Sequence, residues 1–347
     1  MNSRRTITIV GGGLAGLTLG IGLRQGNVPV VIWEAGAYPR HRVCGEFVSG
    51  RGLETLQRLG LMDALMRRGA RPAHTATFYY SGGRRAARDL PKPAVCLSRF
   101  ALDALLADVF RGLGGELRWG ERWSGTFCRE GVVCATGRRA QTRKGDWHWY
   151  GLKAHVKNIP LEADLEMHFG RNGYVGLCQL SDGKVNVCGL FRRKNRDSPL
   201  PQDLATRFSA DCSTTLTERL GRAEWDQGSL CAIGGLLFHR DISQSAGVCR
   251  LGDAFVMIAP VTGNGMSMAF ESAELALEPL RRYAQGCLGW DAACGWVRRS
   301  CCATFGRRLL WASGLHAGIF QSTLSCSLFP WLDLRGFLWR RLFHLTR

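Results

Sequence analysis

No CxxC pair and no Cys/His group at zinc-ligand spacing occurs among the 14 cysteines of this chain. That excludes a thioredoxin-type redox motif and a locally encoded zinc site. Cys301 and Cys302 are adjacent, which leaves too little chain for an ordinary disulfide between them. Reduced thiols in a cytoplasmic protein are the expectation. A secretory leader is not expected either: the apolar run Ile7–Val10, after Arg4 and Arg5, ends at once in Gly11–Gly13. Internal repeats, low-complexity segments and nucleic-acid modules with their characteristic spacing are all missing. Acid is scarce, with 28 Asp and Glu against 46 Lys and Arg and a formal charge of +18 over 347 residues. Such an excess favours an anionic ligand or surface, with nucleic acid set aside for want of a module. Hydrophobic residues at 46% and charged ones at 21% exclude a disordered or fibrous chain. The length fits two compact lobes around one cofactor, or one large α/β unit.

What is there begins with Thr6-Ile-Thr-Ile-Val10, a β-branched run suited to a buried parallel strand. Gly11-Gly-Gly13-Leu14-Ala15-Gly16 follows and fits GxGxxG. The first glycine permits the turn, the second lets backbone approach a pyrophosphate, and the third lets the helix pack on the sheet. Residues 14–24 read as that helix, whose positive N-terminus receives the phosphates. Val30–Glu34 reads as the second strand, and Glu34 stands 18 residues after Gly16, where a carboxylate accepts from a ribose diol. Gly11, Gly13, Leu14, Ala15, Gly16 and Glu34 are therefore candidate dinucleotide contacts.

Three further stretches join this one. Leu251-Gly-Asp253 precedes Pro260-Val-Thr-Gly263-Asn-Gly265-Met266; Leu97-Ser-Arg99 precedes Leu102-Asp-Ala-Leu105; and Arg42-Val-Cys44-Gly45-Glu46 follows the second strand. With these the chain, over roughly residues 5–285, resembles the flavoproteins of the para-hydroxybenzoate hydroxylase type and their relatives, the geranylgeranyl reductases and flavin halogenases. The resemblance implies FAD, with NAD(P)H as a transient electron donor. It implies contacts from Asp253 to cofactor hydroxyls, from Arg99 toward the diphosphate, and from Gly263, Gly265 and Met266 to the flavin pyrimidine. It also implies that Arg42, Cys44 and Gly45 pass beside the flavin. A helix N-terminus at that pyrimidine would stabilise the charge of reduced flavin.

The chain departs from the family in places. The hydroxylases' Asp-Gly after the mid-chain strand is replaced by Ala135-Thr-Gly137-Arg138. The strand at Tyr174 lacks the Trp of the reductases and halogenases, and Trp147 and Trp149 lie upstream. The halogenase lysine has no assignable counterpart, which weighs against halogenation. No second GxGxxG offers a stable NAD(P) site.

The expected fold class is α/β: a Rossmann-type, glutathione-reductase-like FAD lobe (1–70, 95–150 and 240–290) interrupted by a mixed or antiparallel-sheet substrate lobe (71–94 and 151–239). Helices are expected over 51–68, 99–112, 201–222 and 264–284, and an apolar strand over Val248–Met257. From Gly295 onward there are eight Arg, no Lys and one acid, Asp333, with aromatics between them. Arg308 and Asp333 enclose 24 residues without formal charge, too polar for a confident bilayer span. Residues 291–347 are expected as two or three helices that cap the pocket or lie on an anionic membrane surface.

The leading expectation is an FAD-dependent monooxygenase hydroxylating an apolar small molecule with NAD(P)H and O2. The alternatives are a flavin-dependent reductase of a prenyl or other lipid C=C bond, and a non-catalytic flavin-binding protein at a membrane. A cytoplasmic location, peripheral to the membrane in one version, goes with all three. No metal is expected, the oligomeric state is open, and no catalytic residue is assigned. Lys153 and His155, on a strand expected to cross between the lobes, and Glu46 are the unplaced polar candidates.

Overall fold

The structure, a computed structural model, describes residues 4–80, 85–138, 147–194, 202–209, 212–236, 238, 247–320, 340, 341, 343 and 345. Two sheets organise them. The first is five-stranded and parallel, from β1 (Ile7–Val10), β2 (Val30–Glu34), β6 (Glu116–Trp119), β7 (Val132–Cys134) and β13 (Cys249–Arg250), in the order β13-β7-β1-β2-β6. The second is eight-stranded, from β3 (Phe47–Ser49), β4 (Arg71–Tyr79), β5 (Arg85–Cys96), β8 (His148–Lys157), β9 (Leu165–Phe169), β10 (Gly173–Gln179), β11 (Val185–Arg193) and β12 (Glu224–Gly234). Its order is β12-β8-β11-β10-β9-β4-β5-β3, antiparallel except at β4–β9.

Around the parallel sheet lie α1 (Leu14–Gln25), α2 (Arg51–Arg58), α3 (Met62–Arg67), α4 (Arg99–Gly112), α7 (Gly265–Ala284) and α8 (Trp290–Phe320). α1 is apolar all round because it is covered all round, as a helix interior to its lobe must be. Leu17, Leu19, Ile21 and Leu23 are fully buried there, together about 6–12 kcal/mol of gross hydrophobic stabilisation at about 1.5–3 kcal/mol each. The strands of the second sheet show the period of two that sorts side chains to opposite faces. Leu152, Ala154 and Val156 of β8 pack in one core with Phe208 of α5 (Leu204–Ser209) and Leu216 and Leu220 of α6 (Thr214–Gly221). The alternate residues Gly151, Lys153 and His155 face the other lobe.

Several expected elements are interrupted. The helix expected over 51–68 breaks at Gly60, which takes φ +71 and separates α2 from α3. That over 201–222 divides into α5 and α6, the latter restarted by Ser213, whose hydroxyl accepts from Leu216 N at 3.1 Å. The strand expected over Val248–Met257 pairs only at Cys249–Arg250, because Gly252 (φ +57) turns the chain into a short 3-10 turn. The tail begins as one 31-residue helix, α8, whose Val297, Cys301, Phe305 and Leu309 belong to the core of the parallel-sheet lobe. The part of the uncharged stretch beyond it, 321–332, lies outside the described residues. Among those described, no helix is long and apolar enough to cross a membrane.

Candidate cofactor and substrate site

The turn after β1 follows from its glycines. Gly11 has φ +110, and a Cβ there would collide with the Ala135 carbonyl; a Cβ on Gly16 would collide with the Gly11 carbonyl. The helix can therefore start directly above the turn. Gly13 caps α1 with no side chain bonded to it, so the first-turn N–H groups stay free. A Cβ on Gly13 would meet nothing within 4 Å. Glu34, at the end of β2, accepts from Gly12 N at 2.9 Å and Gly36 N at 2.8 Å and pairs with Arg40 at 2.9 Å. Burial works to raise its pKa, but Arg40 and the Gly36 N–H outweigh it and hold the carboxyl below its usual range.

A cavity of about 1600 Å³ lies between the two sheets, beyond the roughly 300–1,000 Å³ of a pocket for one drug-sized ligand. At one end it is bordered by Gly11, Gly13, Leu14, Ala15 and Glu34, and beside them by Arg42, Cys44, Gly45 and Arg99. Asp253, Gly263, Gly265 and Met266 close the same end from the other side. Thirteen of the fourteen sequence-predicted cofactor residues thus share one cavity. Gly16 alone lies beneath the turn. At the start of α7 the buried Asn264 has neither amide atom satisfied among the described residues. Orphans of this kind call for an explanation. The neighbours of Asn264, Gly263 and Gly265, border the cavity, while Asn264 itself lies behind that lining.

A sequence profile of the FAD binding domain family matches residues 4–128. The chain is 24% identical over 325 residues to the menaquinone reductase of Mycolicibacterium smegmatis, covering 80% of this chain and 76% of that protein. It is 31% identical over 116 residues to the 3-amino-4-hydroxybenzoate 2-monooxygenase PtmB3 of Streptomyces platensis, covering 32% and 29%. The flavin-dependent brominase Bmp2 has a similar fold, with a TM-score of 0.79 at 16% identity over 99% of this chain and 93% of that one. Residues 4–128 form an FAD binding domain, the chain as a whole shares the fold of that brominase, and it is an FAD-dependent oxidoreductase.

In this flavoprotein the carboxylate of Asp253 opens onto the cavity. Burial raises its pKa, opposed by Arg99 and Arg138. No protein donor to it is found among the described residues, so its acceptor capacity is directed at the cavity. Arg99 borders the cavity but makes its two side-chain hydrogen bonds, at 2.7 and 2.8 Å, to Asp103 one turn on. It is a fixed cationic wall, one guanidinium edge committed within α4.

The strip 41–46 is laid across the inner face of the eight-stranded sheet. Asn186 Nδ2 donates to Cys44 O at 3.0 Å, and Cys178 Sγ to Gly45 O at 3.2 Å. Glu46 takes φ +56 and is fully buried. Its Oε2 is 2.7 Å from His155 Nε2, its Oε1 is 3.3 Å from Lys153 Nζ, and Oε1 also accepts from Arg99 N at 2.9 Å. Glu46, Lys153 and His155, unplaced in the sequence, are one cluster behind the strip.

The far end of the cavity is mostly apolar, with Arg88 of β5 a charged member of its lining. Phe78, Leu90, Leu165, Met167, Tyr174 and Leu190 come from the sheet, and Trp311, Leu315 and Ile319 from α8. The Trp149 ring packs beside Tyr174 through Phe320, at 4.7 and 6.5 Å between centroids. The ring that meets Tyr174 here is Phe320, at the end of α8, with Trp149 on its other side. Arg138 at the cavity had no sequence signal, whereas a capping position for the helix α8 was one of the two expectations for residues 291–347. Asn264 sat inside the Pro260–Gly265 turn, where its bulk among small residues was the available clue.

Proposed function

We propose that the protein is an FAD-dependent monooxygenase that hydroxylates an apolar, aromatic-type small molecule at the expense of NAD(P)H and O2. The observation that carries this reading is the continuity of one cavity from the glycine turn to an aromatic and aliphatic far end. A cofactor and an apolar substrate would share it, out of bulk water. Substrate–H, O2, NAD(P)H and a proton would yield substrate–OH, water and NAD(P)+. Bound FAD supplies the redox chemistry. The chain supplies the helix ends of α1 and α7, Glu34 and Asp253 as acceptors, and the apolar wall that orients the substrate. The cofactor residues proposed are Gly11, Gly13, Leu14, Ala15, Glu34, Arg42, Cys44, Gly45, Arg99, Asp253, Gly263, Gly265 and Met266, with Gly16 shaping the turn.

The likeness to the menaquinone reductase over 80% of the chain supports a second reading, reduction of a prenyl or other lipid C=C bond. One experiment separates them: NAD(P)H oxidation by the holoprotein with and without O2, across a panel of aromatic acids, phenols and isoprenoid quinones. Substrate-stimulated O2 consumption with a product 16 mass units heavier supports the monooxygenase. Anaerobic reduction of a quinone or alkene, with no O2 requirement, overturns it in favour of the reductase.

A further inference from the structure

Lys153 is fully buried, and so is Glu46; His155 is 3% exposed. Burying a charge is costly unless it is paired, and removing one partner of a buried pair is worse. Here one carboxylate faces more than one base. Glu46 contacts Lys153 at 3.3 Å and His155 at 2.7 Å, and Lys153 Nζ also lies 3.0 Å from His41 Nδ1. A single carboxylate balances one positive charge, so the three bases share a site with room for one balanced proton. A second proton on the cluster is uncompensated and costs more to hold there. Of the four groups only His41 borders the cavity.

We propose that Lys153, Glu46 and His155 form a buried proton store with His41 as its outlet to the cavity. Lys153 Nζ gives its proton to Nδ1 of a neutral His41, and His41 gives up its other ring proton to a titrating group of the flavin or substrate held at the 41–45 strip. No electron moves in this step. Lys153 is left neutral and is reprotonated from solvent through the same imidazole when the cavity is open. The 41–46 strip keeps the relay in register because Asn186, Cys178 and Arg99 N pin it at three points.

Burial and the neighbouring bases favour a neutral outlet, against two nearby acids. His41 stacks on Phe100 at 4.6 Å and sets its edge against His155 at 5.1 Å. Burial, then Lys153 and His155, pull its pKa down to about 4, against Glu46 and Asp226. The other polar groups packed here are Arg42 and Cys44 on the strip, Arg99 and Asp103 on α4, Cys188 on β11 and Cys231 on β12. Asp103 pairs with Arg99 at 2.7 Å and with Arg42 at 3.6 Å, and burial raises the thiols of Cys44, Cys188 and Cys231, which keeps them neutral. The inference rests on the cavity holding flavin and not on the identity of the substrate.

The test uses the FAD-loaded full chain and the variants Lys153→Met and His41→Gln. The first readout is the His41 ring titration by NMR. Losing the neighbouring cation in Lys153→Met should raise its midpoint by roughly one pH unit or more. The second is the flavin midpoint potential from pH 6 to 9, by equilibrium reductive titration. The relay predicts an inflection in the wild type, where reduction draws a proton from the cluster, and its loss in both variants. Equal slopes and inflections in all three proteins would overturn the proposal. Should Lys153→Met fail to fold, His41→Gln, at a half-exposed position, decides alone. Absence of flavin from the wild type would instead overturn the cofactor reading, and leaves the His41 titration to judge the cluster: a His41 midpoint at an ordinary imidazole value would refute it.

Discussion

Arg308 on α8 donates twice to Glu271 on α7, at 2.7 and 2.9 Å, with both side chains buried. This fork-to-fork pair ties the helix that closes the far end of the cavity to the helix that starts at its cofactor end. Arg308→Ala leaves an uncompensated buried carboxylate, and should cost about 3–5 kcal/mol of stability. The double change Arg308→Met with Glu271→Leu removes both charges and should recover most of that loss. Urea denaturation of the three proteins checks both statements. A single variant within about 1 kcal/mol of the wild type would show that the pair is not a structural tie.

Gly13→Val is expected to fold normally and to bind no FAD. Its backbone, at φ −85 and ψ −169, suits any residue, and a Cβ there meets no protein atom within 4 Å. The valine would instead occupy the space into which the free N–H groups of α1 point. Gly16→Val differs, because its Cβ would strike the Gly11 carbonyl; it should lose stability as well as flavin. Flavin content per chain and thermal midpoints distinguish the two. Full flavin in Gly13→Val would move the pyrophosphate elsewhere.

Asp253→Ala should weaken FAD binding while leaving the fold intact. Its carboxylate has no protein donor among the described residues to lose. A ligand-facing charged hydrogen bond is worth about 1.5–3 kcal/mol, or roughly 10–150-fold in affinity. Fluorimetric titration of the apoprotein with FAD gives the number, and equal affinity in variant and parent would remove Asp253 from the site.

What could be read without the fold was what short-range geometry dictates. The glycine turn, α1 and Glu34 all lie within 24 residues, and their spacing has one physical reading. Gly252-Asp253 and the Pro260–Gly265 turn were legible for the same reason. The partners of Glu46 were not. Lys153 and His155 are 107 and 109 residues away and reach it only because β8 sits under the 41–46 strip in the second sheet. The packing of α8 was legible only as one of two expectations, cap or membrane surface. An Arg-rich helix with scattered aromatics fits either, and nothing local tells that Arg308 points inward to Glu271.

Acid should destabilise the protein earlier than carboxylate protonation alone would. His41 and His316 are each pulled down to about 4, first by burial and then by Lys153 and His155 in one case and Arg192 in the other. As pH falls from 6.5 toward 4, the unfolded chain binds protons on these rings that the folded chain does not. Stability therefore falls with pH across that window. Below it, Glu34, Glu46 and Glu166, all held below the ordinary carboxylate range, add to the loss. His316→Phe keeps the ring packing against Trp149, Phe238 and Phe320 and removes one titrating group. Its thermal midpoint should fall less between pH 6.5 and 4.5 than that of the wild type. Parallel pH profiles would exclude His316 as a contributor.

The remaining prediction concerns the basic tail. α8 exposes Arg299, Arg307 and Leu310, the last at 55% exposure, on one side, flanked by the exposed Arg298. We propose that this face meets an anionic membrane surface. Each basic residue at such a surface is worth at most about 1 kcal/mol, so the three contribute up to about 3 kcal/mol. Salt screens that sum. Insertion of Leu310 would add a salt-resistant part at about 25 cal/mol per Å² of apolar area buried. Truncation before Gly295 cannot test this, because Val297, Cys301 and Phe305 would leave the core of the parallel-sheet lobe. The suitable variant is Arg298→Gln, Arg299→Gln, Arg307→Gln in the full chain. Cosedimentation with vesicles of mixed neutral and anionic phospholipid should show binding that drops with salt in the wild type. In the triple variant it should be reduced by up to roughly 150-fold. Equal, negligible sedimentation of both proteins at low salt would leave α8 as a wall of the cavity and nothing more.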